Sequence, residues 1–580
     1  MKKLLILCVL LVCICLLSAC AGGSTTPVTE SPDPITAEAP ISEPAAELTA
    51  EPAPEPTAEP VPEPTPEPIP ESTPEPTAEP TPVPTPTSYE LGTIAVQGSC
   101  GKNVNWALDN KGLLLISGSG PMGDEDEDWY GFEAPWEDRS SAIRTVVIEP
   151  GVTSVGSLAF YYCSNLTKVV IPESVNSIGP GAFMACLGLT ELTIPAGVTE
   201  IGEEAFFGCF SLETIEVAAD NPAFCSVDGV LFDKAQTVLV ACPGAKSGDY
   251  QIPDSVSEIK GYAFAGCRAL KKITIPDSVT EIGESVFAGC NGLKTIEAAA
   301  DNPAFCSADG VLYDKAKTTL IAYPAGVKGD FIIPEGVTEI GKYAFMNAQL
   351  TKIFFSDSVT KIGAYAFQGC RNLIKVQWSD NLRVIGPGAF SYCSSLKSIT
   401  IPSGVTNVDS EAFAHCGSVR TVTIQEGITE INCLAFSNMS NLTSISIPAS
   451  VEWFVWNFAD CPNLQSIIVS EDNPRFQSIG NAVFDKEMTT LVLCAGGAAG
   501  KYRVPDGITT IGYSAFESAS KLTGVTIPTS VTTIESMAFF SCSGLSDVYY
   551  MGSEEQWAQI EIEEYNEDLQ AATIHFNSEG

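Results

Sequence analysis

The sequence predicts a mostly-β solenoid: short parallel strands stacked coil upon coil, with β-hairpin insertions and a cap at each end. Three observations lead there. A phrase of the form "AFxxC" returns along most of the 580 residues. Its phenylalanine falls at Phe160, Phe183, Phe206, Phe264, Phe287, Phe345, Phe367, Phe390, Phe413, Phe436, Phe458, Phe516 and Phe539. Most steps are 22 or 23 residues, and three are 58, which is 23 plus 35. Finally, each unit, such as "LKKITIPDSVTEIGESVFAGC" (Leu270–Cys290), holds two apolar pulses, "LxxIxIP" and "VTxIG", with the two-residue alternation of a strand.

Each part of the unit has a structural reason. Proline after the first pulse ends a strand ladder. Glycine after the second permits a turn, and "AFxxC" closes the coil. Such a unit cannot stand alone. Roughly seven large apolar side chains point inward, each worth about 1.5–3 kcal/mol on burial. Ordering some twenty residues costs at least about 1 kcal/mol each. Stacking shares the apolar faces, with strands about 4.8 Å apart and one continuous core. The 58-residue steps contain "DNPAFCSVDGVLFDKAQTVLVACP" (Asp220–Pro243) and its siblings from Asp301 and Asp472. These predict hairpins projecting beside the stack, near 219–253, 300–334 and 471–505.

Along the chain, residues 1–19 read as a signal peptide: two lysines, an apolar run from Leu4 to Leu17, then small residues. The closing "LLSAC" resembles a bacterial lipobox, which implies cleavage before Cys20 and diacylglycerol on its sulfur. Residues 20–88 are the lipidated cysteine and a Pro/Glu/Thr-rich stalk. Residues 21–88 hold half of the forty prolines and no lysine or arginine. Proline excludes helix and sheet, so the stalk is a disordered, extended spacer reaching at most roughly 200 Å. Residues 89–142 differ from the repeats and form an N-terminal cap. Residues 143–545 are the repeats, and 546–580 a C-terminal cap, because open coil ends expose apolar surface and strand edges.

The repeats resemble the BspA-like bacterial leucine-rich repeat family over about residues 143–545. The resemblance implies a leucine-rich repeat solenoid whose "LxxIxI" strands form a concave face. It also implies display on the cell surface and binding to host or bacterial surface proteins or glycans. It carries over no catalytic residue. The expectation is a lipid-anchored adhesion or binding protein on the extracellular face of a bacterial membrane. The alternative is a structural envelope protein without a specific ligand.

In "LxxIxI" the first, fourth and sixth positions point inward, and the third and fifth outward. The fifth positions include Val170, Thr193, Thr274, Phe354, Gln377, Thr400, Thr423, Ser446, Thr526 and Tyr549. The third include Lys168, Lys272, Lys352 and Lys375. From these, Lys168, Thr193, Lys272, Thr274, Lys352, Phe354, Lys375, Gln377, Thr400 and Thr423 make a candidate binding strip, flat and mainly polar. Threonine also suits any exposed sheet, and lysine keeps one soluble. A separate candidate is "SVEWFVWNF" (Ser450–Phe458), where Trp453 and Trp456 replace polar or small residues.

Other chemistries find little support. The formal charge of −41 repels nucleic acid and anionic lipid. Two histidines, His415 and His575, make histidine catalysis and histidine-rich metal sites poor expectations. "GDEDEDWYGF" (Gly123–Phe132) lacks the spaced glycine and terminal glutamate of a calcium loop. "GSGPMG" (Gly118–Gly123) has no following helix to receive a pyrophosphate. No catalytic set, cofactor or metal is expected. The cysteine closing "AFxxC" gives way to Ala348, Met439 and Ala519 in three coils. Alanine and methionine can replace a core residue but not half of a bridge, so the thiols are expected to be buried and free.

Overall fold

The computed structural model describes residues 91–123, 134–454 and 458–580. The expected signal, Cys20, stalk and most of "GDEDEDWYGF" lie outside the described residues, as does Trp456. Those described fall in one compact unit. It is the expected mostly-β solenoid. In the coil of Phe287, the strand Ala269–Ile275 buries Leu270, Ile273 and Ile275. After Pro276, the two-residue strand Glu281–Ile282 follows, and the turn then buries Phe287 and Cys290.

Three hydrogen-bonded columns run along the stack. The "LxxIxI" strands pair in parallel, as in Lys272↔Thr295 and Thr274↔Glu297. The "VTxIG" strands pair in parallel as well, in an unbroken series from Glu339–Ile340 to Trp453–Phe454. The third column is made by the turns. The N–H groups of Tyr343, Phe345 and Asn347 donate to Ala364, Ala366 and Gln368 of the next coil at 3.1, 2.7 and 2.8 Å. The intervening Ala344, Met346 and Ala348 donate within their own turn, to Gly341, Tyr343 and Phe345. This alternation places the residues two before and two after the phenylalanine at positive φ, 56° at Tyr343 and 58° at Asn347. Left-handed non-glycine residues are unfavourable by roughly 1–2 kcal/mol each. In a regular coil such as this one the ladder compensates by giving each N–H from Tyr343 to Ala348 an acceptor.

Phenylalanines stack through the core. Phe345, Phe367 and Phe390 are spaced 4.6 and 4.8 Å apart with rings within 12° of parallel. Trp136 heads a separate run, Phe160, Phe183 and Phe206, and donates its indole N–H to Ala159 O at 2.8 Å. The recurring cysteine has a role beyond volume. Its thiol donates to the carbonyl of the phenylalanine one coil back, as in Cys370 Sγ to Phe345 O at 3.1 Å and Cys393 Sγ to Phe367 O at 3.2 Å. All sixteen described cysteines are free, and only Cys225, Cys306 and Cys433 are partly exposed. Burial pushes the thiols of Cys163, Cys370 and Cys416 up to about 12.

The insertions differ from expectation in one respect. Each is a three-stranded antiparallel meander, such as Phe224–Val227, Val230–Asp233 and Val238–Ala241. Its last strand does not project beside the stack. Val238–Ala241 pairs in parallel with Glu258–Ile259 and is a rung of the short-strand column. Cys242 then stands in the phenylalanine's place, donating to Ala263 O at 2.7 Å. Each 58-residue step is therefore an enlarged coil followed by an ordinary one. The asparagine of "DNP" pins the meander. Asn302 is fully buried, donates to Pro276 O and Val279 O, and accepts from the N–H groups of Ala304 and Phe305.

At the ends, the strands Ile94–Gly101, Val104–Asp109 and Leu113–Gly118 form an antiparallel sheet. The last of them continues in parallel into Thr145–Ile148. No break in either sheet marks residue 545: Asp547–Tyr550 pairs in parallel with Leu522–Ile527 and with Thr573–His575.

Candidate binding face

The outward side of the long-strand sheet is built by register. Residues one coil apart lie side by side, about 4.8 Å apart. The third and fifth positions therefore form two rows. One stretch reads Ser398, Thr421, Ser444 and Ser466 beside Thr400, Thr423, Ser446 and Ile468. Another reads Asp330, Lys352 and Lys375 beside Ile332, Phe354 and Gln377. Further back, Asp249 and Gln251 adjoin Lys272 and Thr274. Lys168 and Thr193 lie on the same face in the earlier strands Lys168–Val170 and Glu191–Ile194, both exposed.

The structure places the candidates outward in separate parallel stretches, Lys272 with Thr274, Lys352 and Phe354 with Lys375 and Gln377, and Thr400 with Thr423, and four outward positions differ from expectation. Lys272 and Lys352 are already ion-paired, to Glu297 at 2.6 Å and to Asp330 at 2.9 Å. Asp330 also accepts from Thr351, and these donors lower its pKa. Pairs this exposed contribute little to stability because solvent screens them, so they order the surface more than they stabilise the fold. Thr526 is buried, not outward-facing. Its hydroxyl donates to Glu579 O at 3.2 Å, because the chain from Asn577 onward folds back over this strand. Tyr549 is flanked as well, by the His575 ring at 4.8 Å and by the Lys501 ammonium 4.4 Å above its centre. Trp453 is 55% exposed but belongs to the short-strand column, opposite Glu430. It is not part of the strip.

Sequence reasoning missed Ile332, which is 69% exposed beside Phe354, and Ile468, 56% exposed. Both occupy fifth positions. Ile332 lies on Lys328–Ile332, the strand that leaves the second insertion. Its "FIIP" ending was the available signal, matching the "IxIP" of ordinary units. Among the described residues no group of three or more histidine, cysteine or acidic side chains is placed to hold a metal ion. No helix there is long and apolar enough to cross a membrane.

The repeat match decides the family. Six copies of the BspA type leucine-rich repeat region match residues 138–226, 244–306, 329–438 with 385–494, and 499–577. The chain belongs to the BspA-type leucine-rich repeat family. Solved structures with similar folds include a leucine-rich repeat protein from Eubacterium ventriosum, at 24% identity and TM-score 0.36 over 77% of this chain and 94% of that one. A leucine-rich cell surface protein from Faecalibacterium prausnitzii matches at 24% identity and TM-score 0.33, over 79% and 96%. The pneumococcal vaccine antigen PcpA matches at 16% identity and TM-score 0.35, over 84% and 99%. Membership rests on the repeat match, not on these superpositions. No curated protein matches the chain.

Proposed function

We propose that this BspA-type protein is a lipid-anchored scaffold on the surface of a bacterium, and that it adheres to host or bacterial proteins or glycans through its long-strand face. The observation that carries the reading is the patch at the second insertion. Ile332, 69% exposed, stands beside the half-buried Phe354, between the Asp330–Lys352 pair and Gln377. An apolar centre with a polar, charged rim is the anatomy of a protein interface. The stretch from Ser398 to Ser466 is lined mainly by short hydroxyls, which suit broad, wet contacts with protein or sugar. Cys20 and the stalk support display at a distance from the membrane.

The test is retention of purified protein on surfaces coated with mucin, matrix protein or other bacterial cells. Ile332→Asp combined with Phe354→Asp is expected to weaken saturable retention at least tenfold, as loss of a central anchor does. Trp453→Ala, on the other column, is expected to leave it unchanged. Unaltered retention by the double variant would sink the face as the binding site. If no surface retains the wild type above an unrelated acidic protein, the purely structural envelope role takes its place.

A further inference from the structure

The turn column is interrupted wherever an enlarged coil enters. In the regular coils of Phe160, Phe183, Phe264, Phe345, Phe367, Phe390, Phe413 and Phe516, three turn N–H groups donate to the next coil. Cys242 and Tyr323 replace the phenylalanine in enlarged coils and are followed by Pro243 and Pro324, and each keeps only one such bond, to Ala263 O and Ala344 O. The chain then leaves the column. Among the described residues, the N–H groups of Glu204, Phe206 and Gly208 consequently find no acceptor, nor do those of Ser285, Phe287 and Gly289. Across the gap, the carbonyls of Gly261 and Ala265, and of Lys342 and Met346, receive no donor.

A cavity lies at each of these two interruptions. The first is about 410 Å³ and is lined by Glu203, Glu204, Phe206, Phe207, Lys260 and Tyr262. The second, about 230 Å³, is lined by Glu284, Ser285, Phe287, Lys342, Tyr343 and Met346. They differ in charge. In the second, Glu284 is neutralised by Lys342 at 2.5 Å across the gap. In the first, Lys260 is engaged by Glu258 at 2.6 Å. Glu204, half-buried, has Glu203 and the Tyr262 phenol as its electrostatic neighbours. Two carboxylates on the donor lip disfavour an anion there. Donors on one lip and acceptors on the other are what a polypeptide rung satisfies in every regular coil.

We propose that the first slot binds a short extended polypeptide segment of a partner protein. Its carbonyls would lie on the N–H groups of Glu204 and Phe206, its N–H on Gly261 O, and a lysine or arginine against Glu204. The proposal deepens the protein-binding reading above and rests on it. The second slot, with the same open backbone groups and a neutralised carboxylate, accepts a segment without the cationic preference.

Hydrogen exchange on the full chain tests this, read by mass spectrometry over residues 203–209 and 284–290. The probe is an acetylated, amidated heptapeptide of alternating lysine and valine. Its controls are the glutamate–valine counterpart and free lysine amide. The lysine–valine peptide is expected to slow exchange at 203–209 at least twofold. Glu204→Gln is expected to weaken that effect about tenfold, since a hydrogen bond to a charged group is lost, with 284–290 unchanged. Equal protection by the glutamate–valine peptide, or by lysine amide alone, overturns the proposal, as does no protection at millimolar peptide. Surface retention separates the two ideas. Retention by wild type and Glu204→Gln alike, without protection at 203–209, removes the slot and leaves the surface-binding role intact.

Discussion

Asn302→Ala is the sharpest test of how the enlarged coils are held. The Asn302 amide is fully buried and makes four hydrogen bonds. It donates to Pro276 O at 2.7 Å and Val279 O at 2.9 Å, and accepts from Ala304 at 2.9 Å and Phe305 at 2.7 Å. Alanine leaves two carbonyls and two N–H groups without that partner. A buried group so stranded costs about 1–3 kcal/mol. Water can enter the vacated space, so the lower bound applies, and four groups give about 4 kcal/mol. In a stacked array the loss acts locally. The assay is urea unfolding of the full chain, with hydrogen exchange over residues 276–334. Expected are a clear drop in midpoint and early exchange in the second meander. The reference is Asn463→Ala, which removes two exposed bonds, its donation to Ser440 O at 2.7 Å and its acceptance from Lys521 Nζ at 2.9 Å, and is expected to cost about 1 kcal/mol because water replaces both partners. The reasoning fails if Asn302→Ala behaves like Asn463→Ala and residues 304–305 remain protected.

Three further outcomes follow from burial. Desolvation raises the Glu204 pKa above its ordinary 4.5, opposed by the Tyr262 phenol. A carboxyl raised in the folded state contributes stability below its unfolded pKa and loses it as pH rises through the folded value. Glu204→Gln should therefore stabilise the protein at neutral pH and lose that advantage below about pH 4.5, as thermal melts across pH would show. His415 is the opposite case. It stacks on Tyr392 at 4.1 Å, and burial lowers its pKa below 6.5 despite Asp460. Its contribution is complete above 6.5 and is lost as pH falls through the folded value, so His415→Gln should flatten the acid side of the stability curve. Finally, a thiol reagent should titrate at most Cys225, Cys306 and Cys433 of the described cysteines in native protein, and all sixteen after denaturation. A near-zero count in denaturant would show that the thiols are oxidised.

What the sequence made legible was whatever repeats through short-range pattern. Leu270, Ile273 and Ile275 declare an inward face by spacing alone, and their copies declare the stack. Pairing partners are not encoded that way. "VLVA" alternates identically whether it closes a projecting hairpin or becomes a rung, and only the parallel register of Val238–Ala241 with Glu258–Ile259 distinguishes them. Thr526 looked outward because its burial comes from Glu579, fifty-three positions away. The strip's lysines were legible as outward, but Lys272 and Lys352 meet their carboxylates only after coils are stacked. The turn column was hidden because its left-handed residues, such as Tyr343 and Leu158, are not the glycines that advertise such backbone.

That hidden column also explains the cysteine better than packing does. The phenylalanine carbonyl already accepts from its own coil, as Phe345 O does from Ala348. A second donor comes from the following coil, from a small side chain that tolerates complete burial. Cys370 supplies it. Serine would hydrogen-bond more strongly but is more costly to desolvate, and alanine at Ala348 and Ala519 forgoes the bond while keeping the space. The thiol ladder therefore belongs to the same physical device as the open slots. A regular turn satisfies its neighbours on both sides, and an enlarged coil, by leaving the column after one bond, exposes the groups through which another chain could take its place.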